Sequence, residues 1–208
     1  MTAVVLWDVD TQVDFMLPEG KLYVPDAVST IPAMARLVAA ARSAGIPHVA
    51  SADDHELTDP EIVDDPDFRD TYPPHCLRGT KGAEKIPATQ QDDPLPFGLV
   101  PFPPGLVPGM IAGRREFLLL KKNYSVFTNP NADALVAALD PQDVVLFGVA
   151  TDVCNDAAIR GLLQRGRRVR FVEDAARGLD DERVGTCTAA WRDAGVVFTT
   201  VDEVVASL

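Results

Sequence analysis

Short apolar runs rich in β-branched residues recur along this 208-residue chain, and each is followed by a stretch with the three- and four-residue spacing of a helix. Strands buried on both faces read as continuous apolar runs, and parallel strands need crossover helices between them. The alternation predicts an α/β fold: a single domain built on a doubly wound six-stranded parallel sheet with helices on both faces. Strands are expected near 3–9, 46–51, 116–121, 143–149, 168–173 and 196–199. Ile31, Met34, Leu37, Val38 and Ala41 mark the apolar face of a helix expected over 29–44, which Gly45 would end. Further helices are expected over 131–139, 153–165, 181–194 and 201–207, with Asp202 capping the last.

The alternation fails over residues 52–115. Nine carboxylates between Asp53 and Asp70 face the single cation Arg69, and prolines at 87, 94, 96, 101, 103, 104 and 108 forbid a long helix. So long an irregular connection points to a lid, a binding loop or a subunit contact. A net charge of −12 without a basic stripe argues against nucleic acid as a partner. No apolar run approaches the roughly 18 residues of a membrane span, and Asp8 and Asp10 interrupt the opening segment where a signal peptide would be apolar. Neither membrane insertion nor secretion is expected. Cys76, Cys154 and Cys187 show no CxxC spacing and suit a reducing cytoplasm.

Ligand crevices of open α/β sheets lie at the carboxyl ends of the strands. There the sequence places Asp8 and Asp10, then Asp53 and His55, then Lys121 and Lys122, and finally GVATDVC ending on Cys154. A cysteine where a helix starts has its thiol pKa lowered by the free N–H groups and the dipole, although most free cysteines are core residues. Asp10 is a candidate proton acceptor for that thiol, and Lys121 a candidate cation for both. Asp53 and His55 alternate onto one side of a strand end, and both ligate divalent metals. His75 in YPPHC is a candidate third ligand, with Glu61 or Asp67 as an added carboxylate. Cys76, next to His75, would point the opposite way in an extended segment and is read as structural; His48 is read as a strand residue. A competing pattern exists in VVLWDVDTQ, whose Asp-x-Asp-x-Thr resembles haloacid-dehalogenase-like phosphatases with Asp8 as nucleophile and Asp10 as proton donor. That reading leaves Cys154, YPPHC and GVATDVC without a role.

In order along the chain, DTQVDF (10–15), SADDH (51–55), PPHCLRGTKGAE (73–84), KKNYSVF (121–127) and GVATDVC (148–154) resemble the isochorismatase-like cysteine hydrolases, and within them the nicotinamidases. The resemblance implies a triad of Asp10, Lys121 and Cys154, Lys121 being preferred to Lys122 by its spacing from Tyr124. It implies a cis peptide at Val149–Ala150 and an oxyanion hole from the N–H groups of Ala150 and Cys154. The chemistry implied is hydrolysis of a small amide through a thioester on Cys154. Nicotinamide is the leading substrate, placing the chain in NAD salvage, and another small amide or carbamoyl compound is the alternative. True isochorismate hydrolases lack the cysteine. A divalent ion (Zn²⁺, Fe²⁺ or Mn²⁺) is implied at Asp53, His55 and His75, with Glu61 aligned to a fourth ligand, and no organic cofactor. Phe15 and Tyr72 are the candidates to sandwich a flat ring, although Val153 and Tyr72 stand where some nicotinamidases have His and Trp. Family members are commonly dimers or higher, so a homo-oligomer is a further expectation.

Overall fold

The computed structural model describes residues 2–103 and 105–208. Its centre is a parallel sheet of β1 (Thr2–Val9), β2 (His48–Asp53), β3 (Leu95–Phe97), β4 (Glu116–Lys121), β5 (Pro141–Val149), β6 (Arg168–Arg177) and β7 (Val197–Thr199). The spatial order is β3-β4-β2-β1-β5-β6-β7. Six of these overlap the strands expected from the sequence. The seventh, β3, lies inside the irregular 52–115 stretch and corrects the count of six. It pairs with β4 over three residues, Pro96 opposite Leu118. Proline lacks the N–H for a second ladder, so the segment fits only at a sheet edge, which is where it sits. Asn129 secures that edge by donating from Nδ2 to the carbonyls of Phe97 (2.8 Å) and Leu120 (2.7 Å).

Helices α1 (Val13–Met16), α2 (Ile31–Ser43), α3 (Val107–Met110), α4 (Ala132–Leu139), α5 (Asp156–Gln164), α6 (Asp181–Asp193) and α7 (Val201–Ser207) fill the connections. Side chains of β1 alternate across the sheet. Val5, Trp7 and Val9 join one core with Leu135 and Val136 of α4, Ile159 and Leu162 of α5, and Trp191 of α6. Leu6 joins the other, with Met34, Leu37, Val38 and Ala41 of α2 and Val201 and Val204 of α7. Both faces are therefore covered by helices, as expected. Helix α2 is shorter than the 29–44 predicted because a 3-10 turn at Ala27–Thr30 takes its first residues, and Gly45 (φ +67°) stops it.

Two local expectations are corrected. The cap of α7 is Thr200, not Asp202: its hydroxyl accepts from the Glu203 N–H while the Glu203 carboxylate accepts from the Thr200 N–H. This reciprocal pair satisfies two N–H groups at the helix start, which Asp202, one residue inside, does not reach. Before α5 a single π-turn spans Thr151–Asn155, so Cys154 sits in a widened turn ahead of the α-helix rather than at its first residue. Among the described residues no helix is long and apolar enough to cross a membrane.

The chain builds leftward from β1 through β2 and β4, then returns to lay β5 on the other side of β1. The order reverses between β1 and β5, which opens a crevice above their carboxyl ends. Asp10 follows β1 and Cys154 follows β5.

Candidate active site

Four strand ends converge on that crevice. Lys121, the last residue of β4, is fully buried and lies 2.9 Å from Asp10 Oδ2 and 3.8 Å from Cys154 Sγ, with Asp53 as a third, close partner. An ammonium has three N–H donors, and here two carboxylates and one sulfur surround it. Asp10 is held on its other oxygen by the Ser51 hydroxyl at 2.7 Å, and its own backbone takes φ +48° at the turn out of β1. The peptide Val149–Ala150 is cis, as the resemblance implied.

The charges are interdependent. Burial raises the Asp10 carboxyl and the Asp53 charge adds to it, against the pull of Lys121. Asp53 goes the other way: burial opposes its ionisation, but Lys121 and the His55 and His75 imidazoles hold it well below the usual carboxylate range. Burial pushes the Cys154 thiol well up; Lys121 pulls it back, and the neighbouring Asp10 and Asp53 add to the rise. The expectation of a thiol lowered by a helix start is thus corrected. Cys154 is 8% exposed, with two carboxylates beside its thiol and Asp10 placed as the candidate base.

Beside this group, Asp53, His55 and His75 bring ligand atoms within 4.8 Å of one another. His55 Nε2 and His75 Nε2 both face Asp53 Oδ2, at 3.8 and 3.5 Å. The remaining ring nitrogens are spoken for: His55 Nδ1 lies 3.3 Å from Asp59 and His75 Nδ1 2.7 Å from the Pro73 carbonyl. His55 Nε2 is buried with no hydrogen-bond partner. Two imidazoles oriented by their outer nitrogens toward one ionised carboxylate fit a divalent cation, and the orphaned nitrogen is free to ligate it. Glu61 stands at the edge of this cluster, with Oε1 3.9 Å from His55 Nε2 and Oε2 accepting from the Tyr124 N–H at 3.0 Å. Asp67, the other carboxylate considered, instead caps its own loop through the N–H groups of Arg69, Asp70 and Thr71.

A narrow pocket of about 20 Å³, room for one water, opens over Cys154. Phe15, Leu22, Val24, Tyr72, Tyr124, Val153 and Leu179 wall it, and Asp53, Glu61, His75 and Cys154 form its polar end. Among the described residues no Lys or Arg lines it. Phe15 and Tyr72 both stand by His75, with ring centroids 5.2 and 6.1 Å from the imidazole. The larger crevice, about 870 Å³ between the ends of β6, β7 and α6, shares Leu179 with this pocket but contains none of the candidate catalytic or metal-ligating side chains.

A family model of the isochorismatase domain matches residues 2–203. The chain belongs to the isochorismatase-like hydrolase family. Solved structures with the same fold include the zinc complex of pyrazinamidase from Pyrococcus horikoshii, at 23% identity, 95% of this chain and 98% of that one, and a TM-score of 0.72. N-carbamoylsarcosine amidase from Thermoplasma acidophilum aligns at 24% identity over 96% and 97% of the two chains, TM-score 0.72. Pyrazinamidase/nicotinamidase from Streptococcus mutans aligns at 22% over 95% and 100%, TM-score 0.74. At such identities the likeness is one of fold. Comparison with curated proteins gave no significant match.

Membership in the isochorismatase-like family removes the phosphatase reading, and the geometry agrees. Asp8 is turned to Lys85 (3.0 Å), the Thr11 hydroxyl (2.9 Å) and His48 (3.6 Å), and is fully buried among them. Cys76 is not one of the metal-type cluster, but not because the segment is extended: its φ is +44°, and its sulfur lies 3.9 Å from the Gly82 carbonyl. Residues not singled out from the sequence include Leu22, Val24, Tyr124 and Leu179 in the pocket wall, and Ser51 behind Asp10. Ser51 was within reach of sequence reasoning, since it lies on the same strand face as Asp53 in SADDH; the wall residues carry only ordinary apolar character.

Proposed function

We propose that this chain is a cysteine amidohydrolase acting on a small uncharged amide, with nicotinamide, giving nicotinate and ammonia, as the leading substrate. The observation that carries the proposal is the buried trio itself: Lys121 within 2.9 Å of Asp10 and 3.8 Å of Cys154 at the floor of an apolar pocket. In the proposed cycle Asp10 accepts the thiol proton and Cys154 Sγ bonds to the amide carbon. The oxygen takes the negative charge and is held by the N–H groups of Ala150 and Cys154; one such donor is typically worth ~100–1,000-fold in rate. The C–N bond then breaks, with Asp10 returning its proton to the leaving nitrogen. Water adds to the thioester, again through Asp10, and releases the acid. Lys121 keeps the carboxylate and the developing thiolate in register and forms no bond.

Asp53, His55 and His75 are the residues proposed to hold a divalent cation, with Glu61 next to them. When bound it would supply a Lewis-acid contact for a lone pair of the substrate or for a water. Pocket chemistry separates the two substrate classes considered. An N-carbamoyl amino acid carries a carboxylate, which would enter an apolar slot without a Lys or Arg in its wall and with Asp53 and Glu61 at its end. A neutral flat ring meets Phe15 and Tyr72 instead. The slot holds only a water-sized volume, so a ring enters as its wall side chains shift.

The test is ammonia release from nicotinamide by metal-replete protein at neutral pH, beside Cys154→Ala and beside an N-carbamoyl amino acid. Release from nicotinamide by wild type alone is the expected result. Release only from the carbamoyl compound, accompanied by carbon dioxide, would replace the substrate assignment; undiminished release by Cys154→Ala would end the cysteine mechanism.

A further inference from the structure

The segment DTQVDF places polar side chains at every second residue, 10, 12 and 14, and only Asp10 has a part in the proposed chemistry. Gln12 is fully buried and occupies the N-cap position of α1, yet its side chain makes no cap hydrogen bond there. Both ends are spent across the sheet on a single residue. Nε2 donates to the Asp53 carbonyl at 2.8 Å and Oε1 accepts from the Asp53 N–H at 2.7 Å; Nε2 also donates to the Ala83 carbonyl at 2.9 Å. Holding the N–H and the C=O of one residue fixes the peptide planes on both sides of its Cα, and with them the direction in which its side chain leaves.

Asp14 does the same for the histidine side of the cluster. Its Oδ2 accepts from the Cys76 N–H at 2.7 Å and its Oδ1 from the Lys21 N–H at 3.0 Å. The Cys76 N–H belongs to the peptide that joins it to His75, and Cys76 is one of the few non-glycine residues with positive φ, +44°. The Cys76 carbonyl in turn accepts from the His55 N–H at 3.2 Å. One carboxylate thereby ties a left-handed turn whose two sides lead to His75 and His55. The fit leaves no slack: a Cβ added to Gly82 would run into the Asp14 carboxylate.

We infer that Gln12 and Asp14 are positioning residues for the divalent-cation site, Gln12 aiming Asp53 and Asp14 aiming His75 and His55. This rests on the metal site proposed above. The same six-residue segment thus carries the base for the sulfur chemistry and the supports for the adjoining metal ligands. Outer supports of this kind typically change metal affinity by ~10–100-fold when removed.

The experiment is Zn²⁺ affinity by competition with a chromophoric chelator on the full chain, for wild type, Gln12→Ala, Asp14→Ala, Asp14→Asn, His75→Ala and Leu37→Ala, with circular dichroism and melting of each metal-free protein. Gln12→Ala and Asp14→Ala are expected to bind Zn²⁺ ~10–100-fold more weakly. Asp14→Asn, which keeps a carbonyl acceptor for one of the two N–H groups, is expected to recover part of the loss. Leu37→Ala cuts the core under α2 and lowers the melting point without weakening Zn²⁺. Should Gln12→Ala fail to fold, the Asp14 pair decides. Wild-type affinity in Asp14→Ala, with His75→Ala defective, overturns the inference and leaves the metal site standing, as does equal weakening in Leu37→Ala. Absence of Zn²⁺ binding by wild type overturns both.

Discussion

Lys121 is the point where stability and chemistry meet. Its ammonium is raised well above the usual range: burial pulls it down, but Asp10, Asp53 and Cys154 more than restore it. Lys121→Met would fill similar space while leaving two buried carboxylates facing each other. Removing one partner from such a cluster is expected to cost about 3–5 kcal/mol in urea unfolding at pH 7, along with loss of amide turnover. A variant as stable as wild type would mean the carboxylates are better solvated than their burial indicates. Asp8 offers the contrasting case, a buried pair outside the chemistry. Burial opposes its ionisation, but Lys85 and His48 hold it below the usual range. A depressed folded-state pKa contributes stability that is present above the ordinary carboxylate value and lost as pH falls through the folded one. Asp8→Asn should therefore cost about 3–5 kcal/mol at neutral pH by stranding Lys85, and should flatten the further loss of stability below about pH 4. Turnover per folded molecule is expected to stay within a few-fold of wild type; a dead but folded Asp8→Asn would reopen a direct role for Asp8. These side chains were legible as chemistry because they stand at strand ends. Gln12 and Asp14 were not, because their partners are backbone groups 41 and 62 residues away, and no spacing rule reaches that far.

Elements were legible in proportion to their length and burial. Residues 144–149 of β5 form one apolar run that reads directly as a strand covered on both faces, whereas the three of β3 carry a proline and no period. The stop of α2 at Gly45 follows from a residue that accepts positive φ, but the start of α7 depends on which of two polar groups, two residues apart, reaches the free N–H groups. Thr200→Ala and Asp202→Ala separate those readings. Loss of the capping box is expected to cost about 0.5–2 kcal/mol. Asp202 has a side chain 79% exposed and pairs with Arg36, itself 60% exposed, so its removal is expected to cost about 0–1 kcal/mol. Urea midpoints in the reverse order would restore Asp202 as the cap. The π-turn holding Cys154 had no counterpart in the sequence pattern, since apolar spacing does not distinguish it from the first turn of α5.

At the scale of the whole molecule, the irregular 52–115 stretch joins the sheet at the β3 edge and again where function is proposed. Asp53 ends β2, His75 lies in the connection, and the supports for both come from the end of β1. A cation bound there ties the connection to the sheet and stabilises the folded state by mass action. At a concentration of 100 times Kd the gain is about 2.7 kcal/mol, and at about 2–4 °C per kcal/mol for a chain of this size the melting point should rise by roughly 5–11 °C. The acidic window from Asp53 to Asp70 complicates the measurement, because its exposed carboxylates also attract divalent ions loosely at the surface. Salt distinguishes the two. At about 1 M ionic strength the screening length is roughly 3 Å, so diffuse attraction to exposed Asp64, Asp65 and Asp70 is suppressed while direct ligation by buried side chains persists. The rise is therefore expected to survive high salt in wild type and to vanish in His75→Ala. A rise that salt abolishes, or that His75→Ala retains, would place the cation on the acidic surface and leave the buried Nε2 of His55 without the partner assigned to it.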